Sequence, residues 1–164
     1  MEAIKIGRAI AAELLAERAA VTICSRHPGE LEATADELTK LAADAGAGTV
    51  LAMPCDVTDP GQVTAFADAA AAAMGGVDIL VNNAGGARPG QFATLTDEEW
   101  QTDIETKLFS QIRCTRAALP YLRQSSAPRV ININAVYGRY PDPVFFATSV
   151  NRASCVSIHP MCAG

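Results

Sequence analysis

Apolar positions along this chain switch between a helical and an extended period, and the switches mark its elements. After a short unpatterned start, Met1 to Ile6, the stretch Gly7 to Arg18 carries Ile10, Leu14 and Leu15 on one helical face. Val21 to Cys24 is then a short strand with Ser25 and Arg26 at its end. Pro28 to Ala45 places Leu31, Ala35, Leu38 and Leu41 on one stripe and predicts a helix. Val50 to Met53 is the next strand. Asp59-Pro60-Gly61-Gln62 opens another helix, with Asp as the cap, Pro at the first position and Gln at the third. Val63, Phe66 and Ala70 form its inner face.

The run Val77 to Gly85, V-D-I-L-V-N-N-A-G, follows a Gly-Gly pair and ends in turn formers. Its unbroken apolar core predicts a strand buried on both faces, as in a parallel sheet. Thr96-Asp97-Glu98-Glu99 is a capping box, with Leu95 and Trp100 placed to staple it. The helix it starts runs to about Arg123, kinked or ended by Pro120. Arg129 to Ile133 is a strand, and Val144 to about Ser157 one more helix. Met1 to Ile6 could lie beside the strands with Ile4 and Ile6 inward. The alternation of helix and strand implies an α/β chain with a parallel sheet covered by helices. In such sheets ligands bind beyond the carboxyl ends of the strands, where Asn82, Asn83, Ala84 and Gly85 stand.

Size and charge narrow the classes. At 164 residues the chain is one domain, 1–164, and 49% hydrophobic residues supply a sizeable core. Thirteen basic against eighteen acidic residues give a net charge of −5 without a basic block, which argues against nucleic acid as a partner. No apolar run is long enough for a membrane span, and the start lacks a signal pattern, so a cytoplasmic protein is expected. The five cysteines, Cys24, Cys55, Cys114, Cys155 and Cys162, lack metal-site spacing and are expected as reduced thiols. No metal is expected, and His27 and His159 read as surface residues.

N-N-A-G after D-I-L-V resembles the adenine-side motif of the short-chain dehydrogenase/reductase family, and the order of elements agrees with it over nearly the whole chain. The resemblance implies a Rossmann-like, doubly wound parallel sheet, here incomplete: the first strand, most of the Gly-rich phosphate loop and the last two strands are missing from this sequence. Gly7 stands where the last part of that loop would be. Arg26 matches the basic residue that marks NADP users, whose guanidinium fork suits a 2′-phosphate, so NADP is expected over NAD. Asp56 and Val57 match the pair that holds the adenine. Asn82, Ala84, Gly85 and Ile133 complete the implied cofactor contacts.

The family's catalytic set is an Asn on the long helix, a Ser after the fifth strand and a Tyr-x-x-x-Lys. By the resemblance these positions fall on Lys107, Ala135, Thr148 and Arg152, so all four are changed. A threonine hydroxyl is far too weak an acid to replace a phenol near pKa 10. Arg152 keeps a charge that can hold a ribose, but it cannot shuttle a proton. General acid–base catalysis contributes roughly a hundred- to ten-thousand-fold, so carbonyl–alcohol turnover by the family route should be impaired. A relocated pair, Tyr137 or Tyr140 with Lys107, competes with the plainer reading of exposed loop tyrosines. Three readings follow: an NADP-dependent oxidoreductase on an unidentified small molecule, a non-catalytic nucleotide-binding or scaffold subunit, and a partial copy without function. In the family the helices here spanning 96–123 and 144–157 build the subunit interface, so a homo-oligomer is expected.

Overall fold

In the computed structural model, which describes residues 2–44, 46 and 48–158, the first helix begins earlier than the apolar pattern implies. Helix α1 spans Glu2–Ala16, because nothing in the polar-mixed start breaks a helix. Ile6 is exposed there rather than inward; the side chain of Ile4 lies outside what is described, as do Cys162, His159 and Pro160. Strand β1 is Val21–Ser25, helix α2 Pro28–Asp44 and strand β2 Val50–Pro54. In α2 the buried stripe is Leu31, Leu38 and Ala42, whereas Leu41 is exposed. A true 3.6-residue period drifts past the expected Leu41 by one position. Ala11, Leu15, Val21, Leu38 and Ala42 form one apolar cluster that joins α1, β1 and α2.

Helix α3, Pro60–Met74, starts as expected: the Asp59 side chain accepts from the Gly61 and Gln62 backbone N–H groups, and Pro60 occupies the first turn. Its inner face is Val63, Ala67, Ala70 and Ala71, with Phe66 half-buried. Strand β3 is Ile79–Asn82, helix α4 Asp97–Ile104, and helix α5 Ser110–Leu122. The capping box at Thr96 is complete, with Glu99 reaching back to the cap. The Trp100 ring meets Phe146 edge-on, 5.9 Å between centroids. Between α4 and α5 the helix widens into one π turn, Glu105–Phe109, which the sequence pattern does not reveal. Such turns bulge a helix by one residue and occur often at functional sites. Strand β4 is Arg129–Asn132, and helix α6 is Phe146–Ile158.

The strands are parallel, as expected, but they form two separate pairs. Strand β1 pairs with β2, Val21 opposite Val50 and Ser25 opposite Pro54. Strand β3 pairs with β4, Ile79 opposite Arg129 and Asn82 opposite Asn132. Among the described residues no ladder joins the pairs. Strand β3 is not buried on both faces, since Ile79 is 40% exposed and the other three residues are half-buried, and among the described residues only one of its edges is hydrogen-bonded to a strand. A cavity of about 790 Å³ opens between the pairs, lined along its length by the residues of β1 and β3. Helices α1 and α2 pack on the first pair and α5 on the second, with α3 against α5 and α6 against α4 and the π turn. No helix of the described residues is long and apolar enough to cross a membrane.

Candidate functional site

The carboxyl ends of β1 and β3 and the loops that leave them open onto this one cavity. At the β1 end, Arg26 is exposed and lies close enough to Asp56 to favour its charged form. Asp56 Oδ1 accepts from the Thr58 backbone N–H at 2.9 Å and from the Thr58 hydroxyl at 2.8 Å. These bonds, with Arg26 assisting against partial burial, hold the Asp56 carboxyl below its ordinary range. The Asp56 backbone N–H donates to Gln62 Oε1 at 2.9 Å, which fixes the loop to the start of α3. Val57 lines the same wall, as do the free thiols Cys24, Cys55 and Cys114. Burial pushes the Cys114 thiol up to about 11, so it is protonated at neutral pH.

At the β3 end the Asn82 side chain is committed to structure. Its amide donates to Asn132 Oδ1 at 2.8 Å and to Thr115 Oγ1 at 3.1 Å, tying β3 to β4 and α5. Ala84 and Gly85 line the cavity. Gly85 has φ 152°, a left-handed conformation that favours glycine, and a Cβ there would stand 2.6 Å from the Arg152 guanidinium. Gly7 sits inside α1, where its missing Cβ admits the Asn83 amide: a Cβ would lie 2.7 Å from Nδ2. Gly7 thus lets α1 approach the end of β3, and it lines the cavity from within the helix.

Arg152 projects from α6 into the cavity wall and donates to the Ile133 carbonyl at 3.0 Å. Ile133 is itself held by its N–H on the Asn82 carbonyl, 2.9 Å. Burial lowers the Arg152 pKa, and its Nε is buried without a hydrogen-bond partner among the described residues. Lys107 lies in the π turn, 3% exposed, and its ammonium is paired with the Asp103 carboxylate. Burial pulls the Lys107 pKa down, Asp103 pulls it up, and the nearby Arg152 and Arg88 charges lower it further.

The structure brings Lys107, Gly85, Ile133 and Arg152 to one wall, and leaves Thr148 and Ala135 off it. Thr148 is 1% exposed, and its hydroxyl has no hydrogen-bond partner among the described residues. Ala135 offers only backbone groups at the start of a 3₁₀ turn, Val136–Gly138. Tyr140 is 73% exposed, and Tyr137 stacks on Phe145 with centroids 5.0 Å apart. Neither tyrosine borders the cavity that Lys107 lines. Sequence reasoning missed the buried polar pair Asp103 and Asn151, joined at 2.8 Å through Asn151 Nδ2 and Asp103 Oδ2. The one available signal was the i, i+4 spacing of Asp103 and Lys107 on a helix.

Parallel strands with helical crossovers, whose carboxyl ends open onto a shared cleft with small residues and a buried arginine, have the architecture of nucleotide-binding α/β folds. The profile of the short chain dehydrogenase family matches residues 4–151, and the chain belongs to that family. It is 44% identical over 130 residues to a (5R,7aS)-5-hydroxy-7a-methyl-1-oxo-2,3,5,6,7,7a-hexahydro-1H-indene-carboxyl-CoA reductase of Mycobacterium tuberculosis, covering 79% of this chain and 48% of that protein. It is 38% identical over 133 residues to a 3-oxoacyl-acyl-carrier-protein reductase of Vibrio cholerae, covering 81% and 51%. The chain spans about half the length of the curated relatives it matches. An NADPH-bound short chain oxidoreductase from Pseudomonas aeruginosa, described as containing an atypical catalytic center, superimposes with a TM-score of 0.86 at 36% identity, over 94% of this chain and 60% of that one.

Proposed function

We propose that this chain forms the nucleotide-binding part of an NADP(H)-dependent oxidoreductase that interconverts a carbonyl and an alcohol, with the family's tyrosine-based proton transfer lost. The observation that carries the reading is the convergence of Arg26, Asp56, Val57, Ala84, Gly85 and Arg152 on one cavity. The wall suits the cofactor chemically. Gly85 leaves room that a side chain would fill, Arg152 offers a buried Nε without a partner, and Arg26 stands exposed beside Asp56. Arg26 would take the 2′-phosphate, Asp56 and Val57 the adenine, and the segment from Asn82 to Gly85 with Ile133 the middle of the molecule. Arg152 would hold the nicotinamide ribose as a fixed cation. When bound, the dinucleotide supplies hydride chemistry. The NADPH complex of the Pseudomonas aeruginosa neighbour supports the choice of cofactor.

Proton delivery is where this chain departs from its family. The Thr148 hydroxyl is sealed in the protein and Ala135 has none, so neither exchanges a proton with a substrate. This observation favours a second reading, a nucleotide-binding subunit without turnover of its own. A single nucleotide-binding unit, a cytoplasmic setting and pairing of copies through α4, α5 and α6 belong to the same proposal; Phe109 and Val150 are exposed on the surfaces it would use. Equilibrium titration with NADPH and NADH tests it. NADPH is expected to bind more tightly, and Arg26→Ala to erase the difference; equal binding of both by the parent chain would remove Arg26 from the site. Turnover of ketone substrates with NADPH then separates the two readings.

A further inference from the structure

Lys107 poses a physical problem that its family position does not solve. A buried ammonium without compensation gives up its proton, because desolvation penalises the charged form. Arg152 lines the same wall and repels it. Among the described residues one carboxylate answers both cations, that of Asp103, itself 5% exposed. Its two oxygens are divided. Oδ1 pairs with Lys107, and Oδ2 accepts from Asn151 Nδ2 at 2.8 Å. Asp103 lies in the last turn of α4, Lys107 in the π turn and Asn151 on α6, so three elements meet at one carboxylate. Cys155 adds a contact from α6, its thiol on the Lys107 carbonyl at 3.5 Å. A buried carboxylate with both oxygens paired has little freedom to turn, and the lysine it holds shares that rigidity.

We infer that Asp103 is a positioning residue: clamped by Asn151, it keeps the Lys107 ammonium charged and fixed in the cavity wall beside Arg152. The consequence for a bound dinucleotide rests on the cofactor reading above; the clamp itself does not. The charged groups facing Lys107 are Asp103 from α4, Arg152 from α6 and Arg88 from the loop after β3, with the Cys155 thiol beside its backbone. Two of the three charges are cations, so the protonated state of Lys107 depends on the carboxylate.

The chain has three lysines, Lys5, Lys40 and Lys107, so side-chain 15N resonances of lysine-labelled protein give a sparse spectrum in which Lys107→Met assigns the signal. The Lys107 midpoint is expected below the ordinary lysine value in the parent chain. In Asp103→Asn it should fall by about one to three further units, and Asp103→Glu, which keeps the carboxylate, should recover most of the loss. The NADPH dissociation constant of Asp103→Asn should then rise with pH through the new midpoint, while that of the parent stays flat over the same range. A clamp that served packing alone would lower thermal stability in Asp103→Asn and leave the pH profile of binding unchanged. A Lys107 midpoint unmoved by Asp103→Asn overturns the inference. If Asp103→Asn does not fold, the parent spectrum decides: an ordinary midpoint with fast exchange of the Lys107 ammonium protons excludes the clamp. A parent chain that binds no NADPH yet shows the expected titration overturns the cofactor reading and leaves the positioning role standing.

Discussion

Gly85 and the Arg152 guanidinium occupy adjoining space, and that contact joins the end of β3 to α6. Adding one methyl at Gly85 meets both a left-handed backbone and the arginine fork. Gly85→Ala is expected to cost about 1–2 kcal/mol, which lowers the melting temperature of a chain this size by roughly 2–8 °C. It should also weaken NADPH binding, since Arg152 must move. An unchanged melt by calorimetry would mean that Arg152 turns away freely. The resemblance points to Lys107, Ala135, Thr148 and Arg152 because a family pattern fixes spacing along the chain. Asp103 and Asn151 were not legible, because their partnership crosses 48 residues and depends on how α6 lies on the π turn. A sequence shows an acid four residues before a lysine, but not whether the pair is buried.

At the scale of elements, caps and breakers were the most legible features, since each acts within a few residues. Asp59 and Thr96 cap their helices as their spacing requires. The π turn was hidden because the buried course across it is polar, Asp103, Lys107, Ser110, Gln111 and Thr115, and leaves no apolar period from which one extra residue could be read. The register of α2 slipped at Leu41 because neighbouring residues both fit a broad apolar stripe. The loop from β2 into α3 carries its own prediction. Asp56 and Asp59 both have carboxyls held below the ordinary range, chiefly by backbone N–H groups, of Thr58 and of Gln62. A carboxylate with a lowered folded pKa stabilises the native state above its unfolded pKa and loses that contribution as pH falls through the folded value. Denaturant midpoints should therefore drop on acidification below about pH 4, and less steeply in Asp56→Asn. A variant with the same acid slope as the parent would mean that Thr58 does not hold the carboxylate in solution.

For the whole molecule, regular alternation of helix and strand pointed to parallel strands, since each packed helix carries the chain back to the end of the sheet where the previous strand began. It could not predict that the strands stand as two pairs. Which strand neighbours which depends on contacts far apart in sequence, and the edges of β1 and β3 face a cavity instead of one another. That cavity is lined by cations from both strand pairs, Arg26 at the end of β1 and Arg152 with Lys107 beside the end of β3. On the proposed reading these residues bind a nicotinamide dinucleotide although Thr148 and Ala135 stand where the family resemblance implies a phenol and a serine. The most direct test is a thermal melt of the purified chain, alone and with excess NADPH or NADH. A ligand that binds only the native state raises its stability by mass action. One cooperative transition is expected, shifted upward by both cofactors and further by NADPH. A transition that neither cofactor moves would contradict the proposed reading.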